Sequence, residues 1–140
     1  MACQDNKLLA RRYFERILNA GDFSVADALL ASDFVFRNPP VVTRGIDEFK
    51  AAIDSVRAAF PDLHFTIHDE IGEADKVVFR WTVTGTQHGE FFGHPATGRT
   101  IDVTGINIFR VAGGKIQEIW VNMDRLLETE QLGWTAPSRG

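Results

Sequence analysis

The hydrophobic period of the chain changes once, near Leu63, and this change limits the folds that it can adopt. Before Leu63, apart from a short extended segment at 33–37, the apolar residues recur at the spacing of one helical face. After Leu63 apolar and polar residues alternate, as they do in half-buried strands. We therefore predict an α+β domain in which N-terminal helices pack on a strongly curved antiparallel sheet and enclose a pocket.

Local signals bound the predicted elements. Helical spacing over residues 8–18 ends at Gly21, and Ser24 can cap a short second helix. A third helix follows Gly45 and is stopped by Pro61. The other predicted elements are an extended segment at 33–37, strands at 63–71, 77–86, 100–111 and 115–123, and a closing helix at 126–132.

Length and charge narrow the class of protein. A chain of 140 residues fits one domain, residues 1–140, which is long enough to bury a core without disulfides or a metal. Residues 134–140 are rich in Pro, Ser and Gly, and we expect them to form a flexible tail. The net charge of −4 comes from interleaved acids and bases and offers no basic stripe, so we expect no nucleic-acid partner.

The cellular compartment follows from cysteine use and hydropathy. Cys3 is the single cysteine, which excludes a disulfide framework and a thiolate zinc site and fits a reducing environment. No apolar run approaches the roughly 20 residues that span a bilayer. We expect a cytoplasmic protein with no membrane partner.

Two segments of the second half resemble a known family. They are GTQHGEFFGHPATGR at 85–99 and GKIQEIWVNMD at 114–124, which contains the pattern Glu118-x-Trp120-x-x-x-Asp124. Both resemble the SnoaL-like polyketide cyclases, a branch of the cone-shaped superfamily that also holds nuclear transport factor 2, ketosteroid isomerase and limonene epoxide hydrolase. The resemblance implies a cone-shaped fold, an apolar pocket on the concave face of the sheet, and a homodimer formed through the convex face or an edge of the sheet.

Asp124 is the first catalytic candidate. A carboxylate inside an apolar pocket is desolvated, which raises its pKa and lets it remove a proton α to a carbonyl. The alternative is that Asp124 caps the helix that begins near Leu126. A single bulge in the preceding strand would decide between them.

Asn107 and Arg80 are the other catalytic candidates. Asn107 falls where the resemblance implies a pocket histidine or acid, and its amide can donate to a developing enolate; alternatively it only satisfies a neighbouring backbone group. Arg80 can bind an enolate or carboxylate oxygen through its fork of donors. Its alternative role is a buried ion pair with Glu118 or Asp102.

A second group of residues is predicted to contact a ligand. Asn38 can orient a ligand or simply form a turn with the prolines that follow, and Thr82 replaces the second acid of the epoxide hydrolase triad. Trp120 can stack on a ligand or pack, and His88 can act at the pocket mouth or stay solvated. Phe36 is one of many phenylalanines that could line the cavity.

These residues predict a cofactor-independent cyclase, or a related lyase or isomerase, that abstracts a proton from a small apolar or polyketide-like carbonyl ligand. A non-catalytic binding or accessory protein is the first alternative, and an epoxide hydrolase with altered acids is the second. We expect no metal, because neither His64 and His68 nor His88 and His94 have ligand spacing. We also expect no nucleotide cofactor, since no glycine-rich loop opens a helix.

Overall fold

The computed structural model describes residues 2–134, except for the side chain of Ala2. Its helical segments are α1 (Ala2–Arg12), a π-helix (Tyr13–Asn19) that continues it, a 3-10 turn (Phe23–Val25), α2 (Ala26–Leu29), α3 (Gly45–Ala59) and α4 (Arg125–Gln131). Its strands are β1 (Leu30–Asn38), β2 (Val41–Arg44), β3 (His64–Glu73), β4 (Lys76–Thr86), β5 (Thr100–Ala112) and β6 (Lys115–Met123). The predicted α+β architecture is confirmed.

The strands form one six-stranded sheet in the order β2-β1-β6-β5-β4-β3. The pairing of β1 with β6 is parallel, and every other neighbouring pair is antiparallel. The sheet is therefore mixed rather than wholly antiparallel as expected. Parallel neighbours need a long connection, and here that connection is the whole chain from β2 through β5.

The first helices are bounded differently from the prediction. The wide turn of the π-helix places Tyr13, Phe14, Ile17 and Leu18 together on its buried face. Ser24 does not cap the second helix. Instead the Asp22 side chain accepts a hydrogen bond of 3.0 Å from the Ser24 backbone N–H, and the chain turns there before α2.

Aromatic side chains fill one end of the space between the helices and the sheet. Tyr13 meets Phe109 with ring centroids 5.3 Å apart, and Phe14 stacks on Phe79 at 5.4 Å. Each buried ring of this kind contributes about 1.5–3 kcal/mol relative to an exposed one. These rings belong to the packed core, and Tyr13 also lines a cavity between the sheet and α3.

The predicted tail is ordered at its first residue. The Trp134 ring stacks on His94 with centroids 3.9 Å apart, and it also meets Phe91 at 5.9 Å. Trp134 is therefore part of the packed domain. Residues 135–140 lie outside the described part of the chain.

Candidate functional site

A cavity of about 200 Å³ lies between the inner face of the sheet and α3. Its walls come from the π-helix, α3 and the segment that follows it, all six strands, the loop after β4, and α4. Most lining side chains are apolar. The lining side chains that carry polar groups are Tyr13, Asn38, Ser55, Trp81, Asn107, Arg125 and Glu128.

Asn107 supplies an amide to the cavity from the middle of β5. Its neighbours Ile106 and Ile108 are exposed, whereas Asn107 is 2% exposed, so strand alternation directs Asn107 inward. Its Oδ1 accepts from the indole Nε1 of Trp81 at 3.0 Å. Asn107 therefore lies on a rigid strand and is held by a buried partner.

Glu128 supplies a carboxyl to the same cavity from α4. It is only 4% exposed, and this burial raises the pKa of Glu128, while the guanidinium of Arg125 acts in the opposite direction. Arg125 Nη1 donates to Glu128 Oε1 at 3.1 Å. A buried carboxyl of this kind takes up and releases a proton nearer neutral pH than a solvated one does.

Arg125 joins Glu128 to Asn38, and we call these residues the mouth cluster. Arg125 Nη2 donates to Asn38 Oδ1 at 2.9 Å, and its guanidinium lies 5.8 Å from the centre of the exposed Phe92 ring. The Arg125 Nε is buried and has no acceptor among the described residues.

The loop between β4 and β5 covers the cavity beside the mouth cluster. It is organised by Gln87, whose buried amide donates to the carbonyl of Gly89 at 3.1 Å and accepts from Thr97 Oγ1 at 2.8 Å. Phe91 and Phe92, near the tip of the loop, line the cavity. The segment 85–99 is therefore folded and forms one side of the cavity.

The structure places Asn107, Asn38 and Phe36, among the predicted site residues, on the cavity lining. Phe36 packs on Phe49 with ring centroids 5.0 Å apart. Asn38 ends β1, and its side chain meets Arg125 instead of only closing a turn. Their roles toward a ligand stay predictions.

Asp124 does not line the cavity. Its carboxylate accepts from the Leu127 backbone N–H at 3.0 Å and caps α4, and the side chain is exposed. This is the alternative that the sequence left open. The carboxyl that reaches the cavity is Glu128, one helical turn later.

Arg80 and Thr82 lie on the outer face of the sheet, because Trp81 between them faces inward. Arg80 Nε pairs with Asp69 Oδ2 at 2.6 Å and not with the expected Glu118 or Asp102. Thr82 Oγ1 meets His68 Nε2 at 2.7 Å. Neither side chain reaches the cavity, so the predicted enolate contact of Arg80 has no geometric basis.

Trp120 and His88 also lie away from the cavity. Val121 lines the cavity, so its strand neighbour Trp120 faces outward, next to Arg37 and Ile108 in the sheet register. His88 is exposed, and its backbone N–H donates to the carbonyl of Ala59 at 2.8 Å.

Sequence reasoning missed Glu128 and Arg125, although a signal for Glu128 was present. Leu132, fully buried, lies four residues after Glu128 in the predicted closing helix. Residues at this spacing share a helix face. An acid on the apolar face of a helix is a candidate for a buried carboxyl.

Residues 2–134 contain no group of at least three His, Cys, Asp or Glu side chains that could hold a metal ion. Within the same range no helix is long and apolar enough to cross a membrane.

A cavity between a curved mixed sheet and its covering helices, with an amide and a buried carboxyl on its lining, is the architecture of the cone-shaped α+β class. The family model of the SnoaL-like polyketide cyclases matches residues 8–132, so the chain belongs to this family. The resemblance noted in the sequence is thereby confirmed.

Solved structures agree with this assignment. TsrD from Streptomyces laurentii is 34% identical with a TM-score of 0.85, and the match covers 94% of this chain and 97% of TsrD. IdmH from Streptomyces antibioticus, proposed to be a polyketide cyclase, is 28% identical with a TM-score of 0.78 over 91% of this chain and 98% of its own. AclR from Streptomyces galilaeus, proposed to be a hydroxylase, is 25% identical with a TM-score of 0.82 over 96% and 88%. No curated protein matches the chain at a significant level.

Proposed function

We propose that the protein is a cofactor-independent cyclase, or a related lyase or isomerase, that uses Glu128 to remove a proton α to a carbonyl group. The observation that carries this proposal is a buried carboxyl of raised pKa in an apolar cavity that also presents the Asn107 amide. Both groups are needed for enolate chemistry: a base for the proton and a donor for the oxygen.

The reaction follows from these two groups. The ligand carbonyl accepts a hydrogen bond from Asn107 Nδ2, and ionised Glu128 takes the α-proton. The electrons of the broken C–H bond form the enolate, whose oxygen charge Asn107 stabilises. The enolate carbon then attacks a second carbonyl of the same molecule, the new C–C bond closes a ring, and the resulting alkoxide takes up a proton from Glu128.

The mouth cluster tunes the base. Burial favours the protonated form of Glu128, while Arg125 at 3.1 Å favours the ionised form. A base works best when its pKa lies near the operating pH, so that it is ionised yet still basic. Arg125 also fixes the carboxylate, because Asn38 holds its other amino group at 2.9 Å.

The ligand that fits this lining is neutral and mostly apolar. The charge of Glu128 is balanced by Arg125, so the cavity offers no net positive charge to a free carboxylate. Apolar walls with few polar groups suit a compact carbonyl compound. The polyketide cyclase activity proposed for IdmH, which is 28% identical, falls in the same class of chemistry.

One observation favours a non-catalytic binding protein as the second candidate. The Arg125–Glu128 ion pair already satisfies one carboxylate oxygen, which is what a purely structural pair does. The epoxide-opening alternative receives no support, since Arg80 and Thr82 lie on the outer face and Val121 supplies no acid to the cavity.

We also propose that the protein is a homodimer formed through the outer face of the sheet. Ile106 and Ile108 remain 44% and 37% exposed on this face, with Trp120 beside Ile108 in the register. Exposed apolar side chains grouped on one sheet face are typical of an interface. Arg80 and Asp69 at its side supply charges of both signs, which suits a surface that pairs with itself.

Proton abstraction is tested by hydrogen–deuterium exchange at the methyl group of methyl naphthyl ketone, followed by NMR in D₂O. We expect wild-type protein to accelerate exchange and Glu128→Gln to lower the rate by a factor on the order of 100 or more. Asp124→Asn is the matched control, because it removes an exposed carboxylate yet keeps a good helix cap, and its rate should stay within about twofold of wild type.

Two outcomes would count against catalysis. Undiminished exchange by Glu128→Gln removes Glu128 as the base. Binding of the ketone by wild-type protein without exchange above the buffer rate favours the binding protein.

A further inference from the structure

The Asn107 amide can face the cavity in only one way. The indole N–H of Trp81 donates and never accepts, so the amide atom 3.0 Å from it must be the oxygen. The NH₂ group then occupies the other branch of the amide. Among the described residues Asn107 Nδ2 donates no hydrogen bond, and both Trp81 and Asn107 line the cavity.

We infer that Trp81 is a positioning residue: it holds the Asn107 amide with its donor toward the cavity, so that the site selects a ligand with a carbonyl acceptor there. This inference rests on the proposed function for the place of the ligand carbonyl. It goes further in naming the residue that decides which polar group the ligand must carry.

The indole is itself locked in place. Trp81 is 1% exposed, and its ring meets Phe65 edge-on with centroids 4.9 Å apart. Across the strand pair it lies opposite Gly105. A Cβ at Gly105 would stand 2.4 Å from the Trp81 ring, so the absence of a side chain there makes the space that the indole occupies.

The alternative amide orientation is strongly disfavoured. Rotating the amide would set Nδ2 against the indole N–H and Oδ1 against a ligand carbonyl, which places donor against donor and acceptor against acceptor. A buried polar group without a hydrogen-bond partner is destabilising, and this penalty is larger than the net stabilisation that one hydrogen bond provides. Without the indole N–H, both orientations become available and the selection weakens.

The test compares two ligands of one shape. Methyl naphthyl ketone carries C=O where isopropenylnaphthalene carries C=CH₂, so their affinities differ through the acceptor. Measured by equilibrium binding to the full chain, wild-type protein should prefer the ketone by about 3- to 10-fold. Trp81→Phe keeps an aromatic ring without the N–H, and it should bring this preference toward equality.

A double-mutant cycle separates positioning from packing. In an Asn107→Leu background the ketone preference is already lost, and adding Trp81→Phe should change it no further. The C=O stretching frequency of the bound ketone gives an independent readout, since it should shift upward in Trp81→Phe as the hydrogen bond weakens. A residue that only fills space would affect both ligands equally.

A second variant keeps the test possible if Trp81→Phe does not fold. If circular dichroism shows that Trp81→Phe is unfolded, benzothienylalanine at position 81 keeps the ring size and replaces N–H with sulfur. The inference is overturned if wild-type protein shows no ketone preference, or if a folded variant without the N–H keeps the whole preference. Proton exchange is measured separately, so failure of catalysis and failure of this inference give different results.

Discussion

Gly105→Ala tests whether Trp81 occupies its position because residue 105 has no side chain. A Cβ at this position would lie 2.4 and 2.5 Å from two ring carbons of Trp81 and 3.0 Å from the carbonyl oxygen of Asn122. Neither neighbour yields easily, because one is a buried ring and the other is backbone of β6. The ring, the strand or both must shift.

The magnitude follows from two opposing effects. Overpacking of this kind costs about 1–3 kcal/mol, whereas alanine is favoured over glycine within a strand by roughly 0.5–1 kcal/mol. We expect a net loss of about 1–2 kcal/mol. For a domain of this size that corresponds to a drop in Tm of roughly 3–8 °C.

The assay is thermal and urea unfolding of wild type, each single variant and the double variant. Trp81→Phe removes the two closest ring carbons and leaves only the 3.0 Å contact with the Asn122 carbonyl, so Gly105→Ala should cost clearly less in that background, and the two changes should not add. If Gly105→Ala lowers the free energy of unfolding equally in both backgrounds, the reasoning is refuted. The destabilisation would then come from contact with the backbone of β6 and not with the indole.

The remaining predictions concern the buried carboxyl and the outer face of the sheet. Burial raises the pKa of Glu128 above its ordinary 4.5, so between that value and the raised one the folded protein keeps a proton that the unfolded chain releases. The free energy of unfolding should therefore fall as pH rises through this window in wild type and fall less in Glu128→Gln, as urea titrations from acid to neutral pH will show; equal slopes would contradict a raised pKa. Ile108→Glu should convert a dimer to monomer in sedimentation equilibrium with the cavity intact, whereas a monomeric wild type would exclude the proposed interface.

The sequence predicts most of the elements because each carries a local signal. The four long strands and the closing helix were expected within a few residues of their observed bounds. The parallel pairing of β1 with β6 was not, because a pairing between the two ends of a chain leaves no mark on either segment alone. The short strand β2 follows two prolines and carries too few residues to show alternation.

Strand alternation accounts for where the structure places the predicted site residues relative to the cavity. Asn107 lies on the inner face, as the alternating burial of β5 requires. Arg80 was drawn from the resemblance to an epoxide hydrolase triad, although Phe79 and Trp81 on either side already indicated that it faces outward. Trp120 was expected either to stack on a ligand or to pack, and its apolar neighbours Ile119 and Val121, which occupy the inner face, likewise indicate that it faces outward.

The closing helix shows why the expected acid and the observed one differ. A seven-residue helix is marginal by itself, and α4 is held at its start by the Asp124 cap, worth about 1 kcal/mol, and at its end by the buried Leu132. The Glu128 backbone N–H donates to the Asp124 carbonyl at 3.1 Å, so Asp124 sets the turn from which Glu128 enters the cavity. Asp124 thus contributes to the site through the helix that it begins: it fixes the position of the carboxyl to which we assign the role that the sequence suggested for Asp124.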